Sequence, residues 1–144
     1  MIMRVLTPLD KDHIYDLMMR RYIQLSKNPT QARTNENVDE QYNLFIEEHM
    51  DFKWENGLPN KVNKGRAFGY FKDNELMVIL TQRFSTSRMP SWYVGNMITC
   101  PSLKGYREAA EITSVLLDMA VEDAEKYGYT QFFWVTSTKG WNRR

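Results

Sequence analysis

Residues 92–137 constrain the fold of this chain more than any other stretch. They read Trp92-Tyr93-Val94-Gly95-Asn96-Met97-Ile98-Thr99-Cys100, a proline with a short polar loop, a long amphipathic segment, and Thr130-Gln131-Phe132-Phe133-Trp134-Val135-Thr136-Ser137. Two runs rich in β-branched and aromatic residues, flanking a segment of helical period, describe strand, helix, strand. The period is carried by Ile112, Val115, Leu116, Met119, Ala120, Ala124 and Tyr127, against a polar face of Glu111, Asp118, Glu122, Glu125 and Lys126. Gly128 is placed to end this helix in a left-handed cap. Parallel strands joined by a helix bring the end of the first strand and the start of the helix to one edge of a sheet. Ligands of α/β proteins bind at such edges, because helix amides and unpaired strand groups converge there.

The other segments complete a sheet around this unit. Met3-Arg4-Val5-Leu6-Thr7 is β-compatible and is stopped by Pro8. Asp10 is expected to cap a first helix bearing Ile14, Leu17, Met18, Tyr22 and Leu25 at helical spacing. Asn28-Pro29 breaks that helix. After a polar loop, Asn37 with Glu40 three residues on is expected to cap a second helix, with Val38, Tyr42, Phe45, Ile46 and His49 on one face. Residues 51–64 have no period and read as an exposed loop. Asp73-Asn74 then joins Arg66-Ala67-Phe68-Gly69-Tyr70-Phe71-Lys72 to the run from Glu75 to Phe84, a β-hairpin pattern. A polar link, residues 85–90, leads to Trp92. The order is β-α-α-β-β-β-α-β, an α/β chain with a mixed, mostly antiparallel sheet, read as a single domain over residues 1–144.

Composition removes several function classes. Nineteen Lys and Arg balance eighteen Asp and Glu, which argues against a non-specific nucleic-acid binder. No apolar run reaches the length of a membrane span, and residues 1–10 lack a signal peptide's hydrophobic stretch, so a cytoplasmic location is expected. Cys100 is the single cysteine, and His13 and His49 are the two histidines, so Cys/His zinc spacings are absent and no metal is expected. His49, beside Phe45 and Ile46, reads as a hydrogen-bonded histidine at the edge of the core, and His13 as exposed.

This order of elements resembles the GNAT N-acetyltransferase superfamily, and so does its local wording. Members read an apolar strand and a proline, as Met97-Ile98-Thr99-Cys100-Pro101 does, then a basic glycine-containing loop, as Lys104-Gly105-Tyr106-Arg107 does. A long helix ending Ala-x-x-x-Gly-aromatic follows, matched by Ala124-Glu125-Lys126-Tyr127-Gly128-Tyr129, and then an aromatic strand, matched by Phe132-Phe133-Trp134-Val135. The resemblance implies the acyl-CoA N-acyltransferase fold and acetyl transfer from acetyl-CoA to an amine. It implies pyrophosphate contacts at Arg107 and Ala110 and the pantetheine arm along Met97, Ile98 and Thr99, with Lys104 and Gly105 as the alternative phosphate contact. Small residues are needed there because a Cβ holds phosphate oxygens off the amides. Glu108 and Glu111 put negative charge in the same segment. Family members continue after the fifth strand with a tyrosine-bearing helix and two more strands. The expectation is therefore either a longer chain or a protein partner, including a second copy, covering the edge at residues 132–135.

Acetyl transfer also needs a base near the thioester. The fourth strand offers Tyr93, Asn96 and Thr99 and the fifth Gln131, Thr136 and Ser137, none a carboxylate; Tyr93 and Asn96 are the candidates for orienting a water. Cys100 and Arg107 resemble a phosphatase loop, but six residues separate them where that chemistry needs five. Trp54 among Lys53, Lys61, Lys64 and Arg66 makes a basic loop with an aromatic, read as solvated with the ring folded back. The alternative to an enzyme is a non-catalytic GNAT-like structural or interaction protein, such as a bacteriophage virion component. The Asn-, Lys-, Met- and Tyr-rich composition is compatible with that origin.

Overall fold

Backbone pairing at the centre of the molecule starts from a two-residue turn. Asp73 and Asn74 both take positive φ, 52° and 63°, the arrangement that matches the twist of a tight hairpin and that Asp and Asn tolerate well. The turn joins β4 (Ala67–Lys72) to β5 (Glu75–Ser85), and β5 pairs antiparallel with β6 (Ser91–Thr99). This meander lies inside a five-stranded sheet of order β1-β4-β5-β6-β7, with β1 (Ile2–Val5) antiparallel to β4 and β7 (Phe132–Trp134) parallel to β6. The computed structural model describes residues 2–26, 35–55, 58–59, 64–85, 91–100, 103, 106–126 and 132–134. The expected helix stop at Gly128 lies outside these residues.

Helices cover both faces of the sheet. Phe71 on one face meets the His13 ring of α1 (Lys11–Ser26) edge-on at 5.4 Å. Gln82, whose side chain projects from the other face, donates to Asp123 of α3 (Tyr106–Lys126) at 2.9 Å. A strand buried on both sides loses its alternation of apolar and polar residues; accordingly Ala67 to Phe71 and Leu76 to Gln82 are buried without interruption. The apolar faces expected of the helices are buried at Ile14, Leu17 and Met18 in α1, at Val38, Phe45 and Ile46 in α2 (Asn35–His49), and at Ile112, Leu116, Ala120 and Ala124 in α3. Among the described residues no helix is long and apolar enough to cross a membrane.

Four local expectations need correction. Thr7, not Asp10, caps the entry to α1: its hydroxyl accepts from the Leu9 amide across a 3-10 turn (Pro8–Asp10), and Asp10 reaches back to the Thr7 amide at 2.8 Å. That reciprocal capping box leaves Asp10 free to accept a two-pronged bond from Arg4, both contacts at 2.8 Å. The second helix begins at Asn35, two residues before the expected cap Asn37. The stretch read as a plain loop contains two short strands, β2 (Trp54–Glu55) and β3 (Leu58–Pro59), paired antiparallel. Val115, expected on the buried face of α3, is 46% exposed, and Thr113 is buried in its place by donating its hydroxyl to the Ala109 carbonyl at 2.7 Å.

Candidate functional site

The register of β6 changes once. Leu80 pairs with Met97 and Gln82 with Val94, so Gly95 and Asn96 together oppose the single residue Thr81. This is a β-bulge, which bends its strand and re-aims the groups around it. On the other side of β6 the parallel partners are Trp92 with Phe132, Tyr93 with Phe133 and Val94 with Trp134. Among the described residues that ladder ends at Val94, immediately before the bulge. From Gly95 to Thr99, β6 is therefore held on its β5 side and has no described strand on the other.

Backbone groups along this half of β6 divide by parity. The Cys100 amide donates to the Met77 carbonyl of β5 at 2.7 Å. Successive residues of a strand point their amides and carbonyls to opposite edges, so Ile98 is turned toward β5 while Met97 and Thr99 are turned toward the other edge, where no described strand pairs with them. A guanidinium already reaches that edge: Arg21 of α1 donates from Nη1 to the Thr99 carbonyl at 3.2 Å. Its neighbour Arg20 is fastened beside it, donating to the Leu76 carbonyl at 2.8 Å, to Asp16 at 3.0 Å, to Glu75, and to Cys100 Sγ at 2.9 Å. The end of α1 is thereby fixed to the end of β6.

The chain after β6 turns at Leu103, whose amide donates to the Cys100 carbonyl at 3.1 Å, and α3 begins at Tyr106. Helix geometry leaves the amides of its first residues, Tyr106, Arg107 and Glu108, without partners inside the helix. Ala110 lies one turn in, where its amide belongs to the bond to the Tyr106 carbonyl. The Arg107 side chain is 95% exposed and its Nε lies 3.8 Å from Glu111, back along the helix. At that exposure the pair contributes little.

Beside the other half of β6, α2 brings charge that the sequence did not reveal. Arg83, cross-strand from Tyr93, has its Nη1 3.7 Å from Glu48. The next residue, His49, is buried and donates from Nδ1 to the Gly65 carbonyl at 3.2 Å. Burial pushes its imidazole down to about 4, with the nearby Arg83 and Lys64 charges acting in the same direction. The core-edge reading of His49 agrees with this placement.

The structure thus gathers Tyr93, Asn96, Met97, Ile98 and Thr99 on one bulged strand and sets Arg107 and Ala110 at the start of the helix that follows. Lys104 and Gly105 lie outside the described residues, as do Gln131, Thr136 and Ser137. Arg21 and Glu48 were missed. The doublet Arg20-Arg21 was visible, but the helical period reports only which residues face the core. It does not say where along the sheet a helix ends.

A mixed sheet with a bulged fourth major strand, parallel to the strand that follows the long helix, defines a GNAT-like fold. Solved structures agree. The chain is similar to a ribosomal-protein-alanine N-acetyltransferase from Brucella melitensis biovar Abortus 2308, with 13% identity, a TM-score of 0.62, and 99% of this chain and 86% of that one covered. It is similar to AAC(6')-Iy in complex with the bisubstrate analogue CoA-S-monomethyl-acetylneamine, with 10% identity, a TM-score of 0.60 and coverage of 99% and 83%. A predicted acetyltransferase with acetyl-CoA from Clostridium acetobutylicum matches at 16% identity, a TM-score of 0.57 and coverage of 96% and 82%. At such identities the likeness is one of fold. No family model matches the sequence, and neither does any curated protein.

Proposed function

We propose that the chain is an acetyl-CoA-dependent N-acetyltransferase acting on an amine. The observation that carries this reading is the position of the Gly95–Asn96 bulge directly after the last described β6–β7 pair, beyond which Met97 and Thr99 face an edge with no partner strand among the described residues. Such an edge fits the cofactor's amide-bearing arm, because an extended chain with amides can pair with a strand as another strand would. Bound there, acetyl-CoA would supply an activated acyl thioester, whose transfer breaks a C–S bond, forms a C–N bond, and ends with the proton lost by the amine nitrogen on the leaving thiolate.

Met97 and Thr99 would hold the arm through their backbone, and the first amides of α3 would meet the phosphates. Tyr93 and Asn96, on either side of the bulge start, would hold the water that takes the amine proton. Glu48, beside Arg83, adds a carboxylate on the α2 face.

Thermal denaturation with and without acetyl-CoA tests the reading. A ligand at 100 times its Kd stabilises the folded state by about 2.7 kcal/mol, which raises Tm by roughly 5–10 °C for a chain of this size. An unchanged Tm at millimolar acetyl-CoA would overturn the proposal and leave a GNAT-like scaffold without its cofactor, the alternative raised by the sequence.

A further inference from the structure

We infer that Gln82 of β5 is a positioning residue of the candidate donor site, acting through Asp123 of α3 to hold the β6 bulge and the start of α3 in one arrangement; this rests on the reading just given. Three segments distant in sequence meet at Gln82. Its backbone amide donates to the Arg66 carbonyl at 3.0 Å, its side-chain Nε2 donates to Asp123 Oδ2 at 2.9 Å, and Arg66 Nη1 donates to the same oxygen at 2.7 Å. Each of the three residues is thus bonded to the other two. Gln82 is fully buried, and the Arg66 and Asp123 side chains are 16% and 17% exposed.

The place of this triangle in the sheet gives it a role at the bulge. Gln82 pairs with Val94, and the residue before it, Thr81, is the one that Gly95 and Asn96 together oppose. A bulge interrupts the ladder on that side of β5. On the other side Thr81 pairs with Ala67 of β4, and on the α3 face the Gln82 side chain ties the same point to Asp123. The strand is therefore fastened where its ladder to β6 is weakest.

The same bond selects the position of α3 along its axis. Burial of Ile112, Leu116, Ala120 and Ala124 attracts the helix to the sheet, but hydrophobic attraction has no direction. A buried amide does: moved off its partner, it keeps its desolvation cost and loses its bond. Because a helix is stiff, the position chosen at Asp123 carries back to the helix start at Tyr106, about 25 Å away. The amides there are those assigned to the donor's phosphates, and the bulge sets the strand assigned to its arm. One buried hydrogen bond thus relates the two parts of the donor's seat.

The test combines hydrogen–deuterium exchange with calorimetric binding of acetyl-CoA, on the wild-type chain and on Gln82→Met, Asp123→Asn and Ile46→Val. Methionine keeps the length of glutamine and removes the donor, Asp123→Asn keeps an acceptor for Gln82, and Ile46→Val trims a buried residue of α2. Loss of a hydrogen bond to a carboxylate corresponds to about a tenfold or larger shift in a local equilibrium. In Gln82→Met, exchange over residues 92–97 should quicken by about that factor relative to residues 68–72, and the acetyl-CoA Kd should rise. Asp123→Asn should move both readouts in the same direction by less, and it carries the comparison if Gln82→Met does not fold. Ile46→Val should quicken the two segments alike at an unchanged Kd, the signature of a general loss of stability. Equal quickening of the two segments in Gln82→Met, or an unchanged Kd, overturns the assignment while the acetyltransferase reading stands. Absence of acetyl-CoA binding by the wild-type chain removes both proposals at once.

Discussion

The Arg66 guanidinium lies 2.7 Å from the Asp123 carboxylate, bridging the entry to β4 and the last turns of α3. The same carboxylate oxygen accepts from Gln82 of β5 at 2.9 Å, and Arg66 and Asp123 are each less than a fifth exposed. The later part of α3 is thus fastened to the sheet, at the strand residue cross-strand from Val94. Removing one partner of a mostly buried pair costs more than the pair contributes, because the other charge is left behind.

Asp123→Ala should therefore lower stability by about 2–4 kcal/mol. Asp123→Asn, which retains an acceptor for Gln82 but loses the charge opposite Arg66, should cost less. Urea denaturation of the two variants measures the difference; equal and negligible effects would remove this anchor from the account.

Acid should weaken the fold in the window set by His49. Its imidazole sits near 4 in the folded chain, against an ordinary value of 6.5, because burial disfavours the charged form. Between those values the unfolded chain binds a proton that the folded chain refuses, so the contribution is complete above pH 6.5 and is lost as pH falls toward 4. The full loss is at most about 3 kcal/mol. Denaturation midpoints measured from pH 7.5 to 4 should fall in the wild type and fall less in His49→Gln.

Asp10 adds a second, lower step. The hydrogen bond from Arg4 holds its carboxyl below the ordinary 3.8, helped by the Thr7 amide. A lowered carboxylate stabilises above its unfolded value and ceases to do so as pH falls beneath it. Asp10→Ala, which removes both the capping box and the Arg4 fork, should cost about 1–2 kcal/mol at neutral pH and abolish this lower step. An unaltered acid limb in that variant would refute the assignment.

Gly65 is held against β5. A Cβ on it would lie 1.8 Å from the Gln82 carbonyl oxygen, a backbone atom that cannot swing aside. Gly65→Ala should cost at least the roughly 1–3 kcal/mol typical of overpacking, and it also threatens the His49 bond to the Gly65 carbonyl. Its Tm reports the first effect and its acid sensitivity the second.

How far the sequence carries can be argued from these same residues. Apolar period located α1, α2 and α3, since burial of one helical face is a local property, and Asp73-Asn74 marked the hairpin because few residue types accept positive φ. The end of β6 at Thr99 was readable as a strand end. The bulge was not, because one extra residue in β6 appears only when the β5 partner is known. Arg21, Glu48 and Asp123 escaped for a related reason: each acts on an element distant in sequence, and charged residues on helices ordinarily face solvent. Asp10 was read as the cap of the first helix, but Thr7 is the cap and Asp10 reaches back to it.

The tight turn at Asp73 and Asn74 has a kinetic consequence. Lys72 meets Glu75 across it, whereas the outer ladders join Ile2 to Phe71 and Trp92 to Phe132. Closing a loop grows costlier with the chain enclosed, so contacts near in sequence form before distant ones. The β4–β5 hairpin is then the natural nucleus, and β7, paired to the first half of β6, docks late. Asn74→Val, which penalises positive φ, should slow folding and leave unfolding nearly unchanged, as stopped-flow chevrons would reveal. A half-built intermediate of this kind would hold its central strands in place before the strand pairing that flanks the bulge had formed.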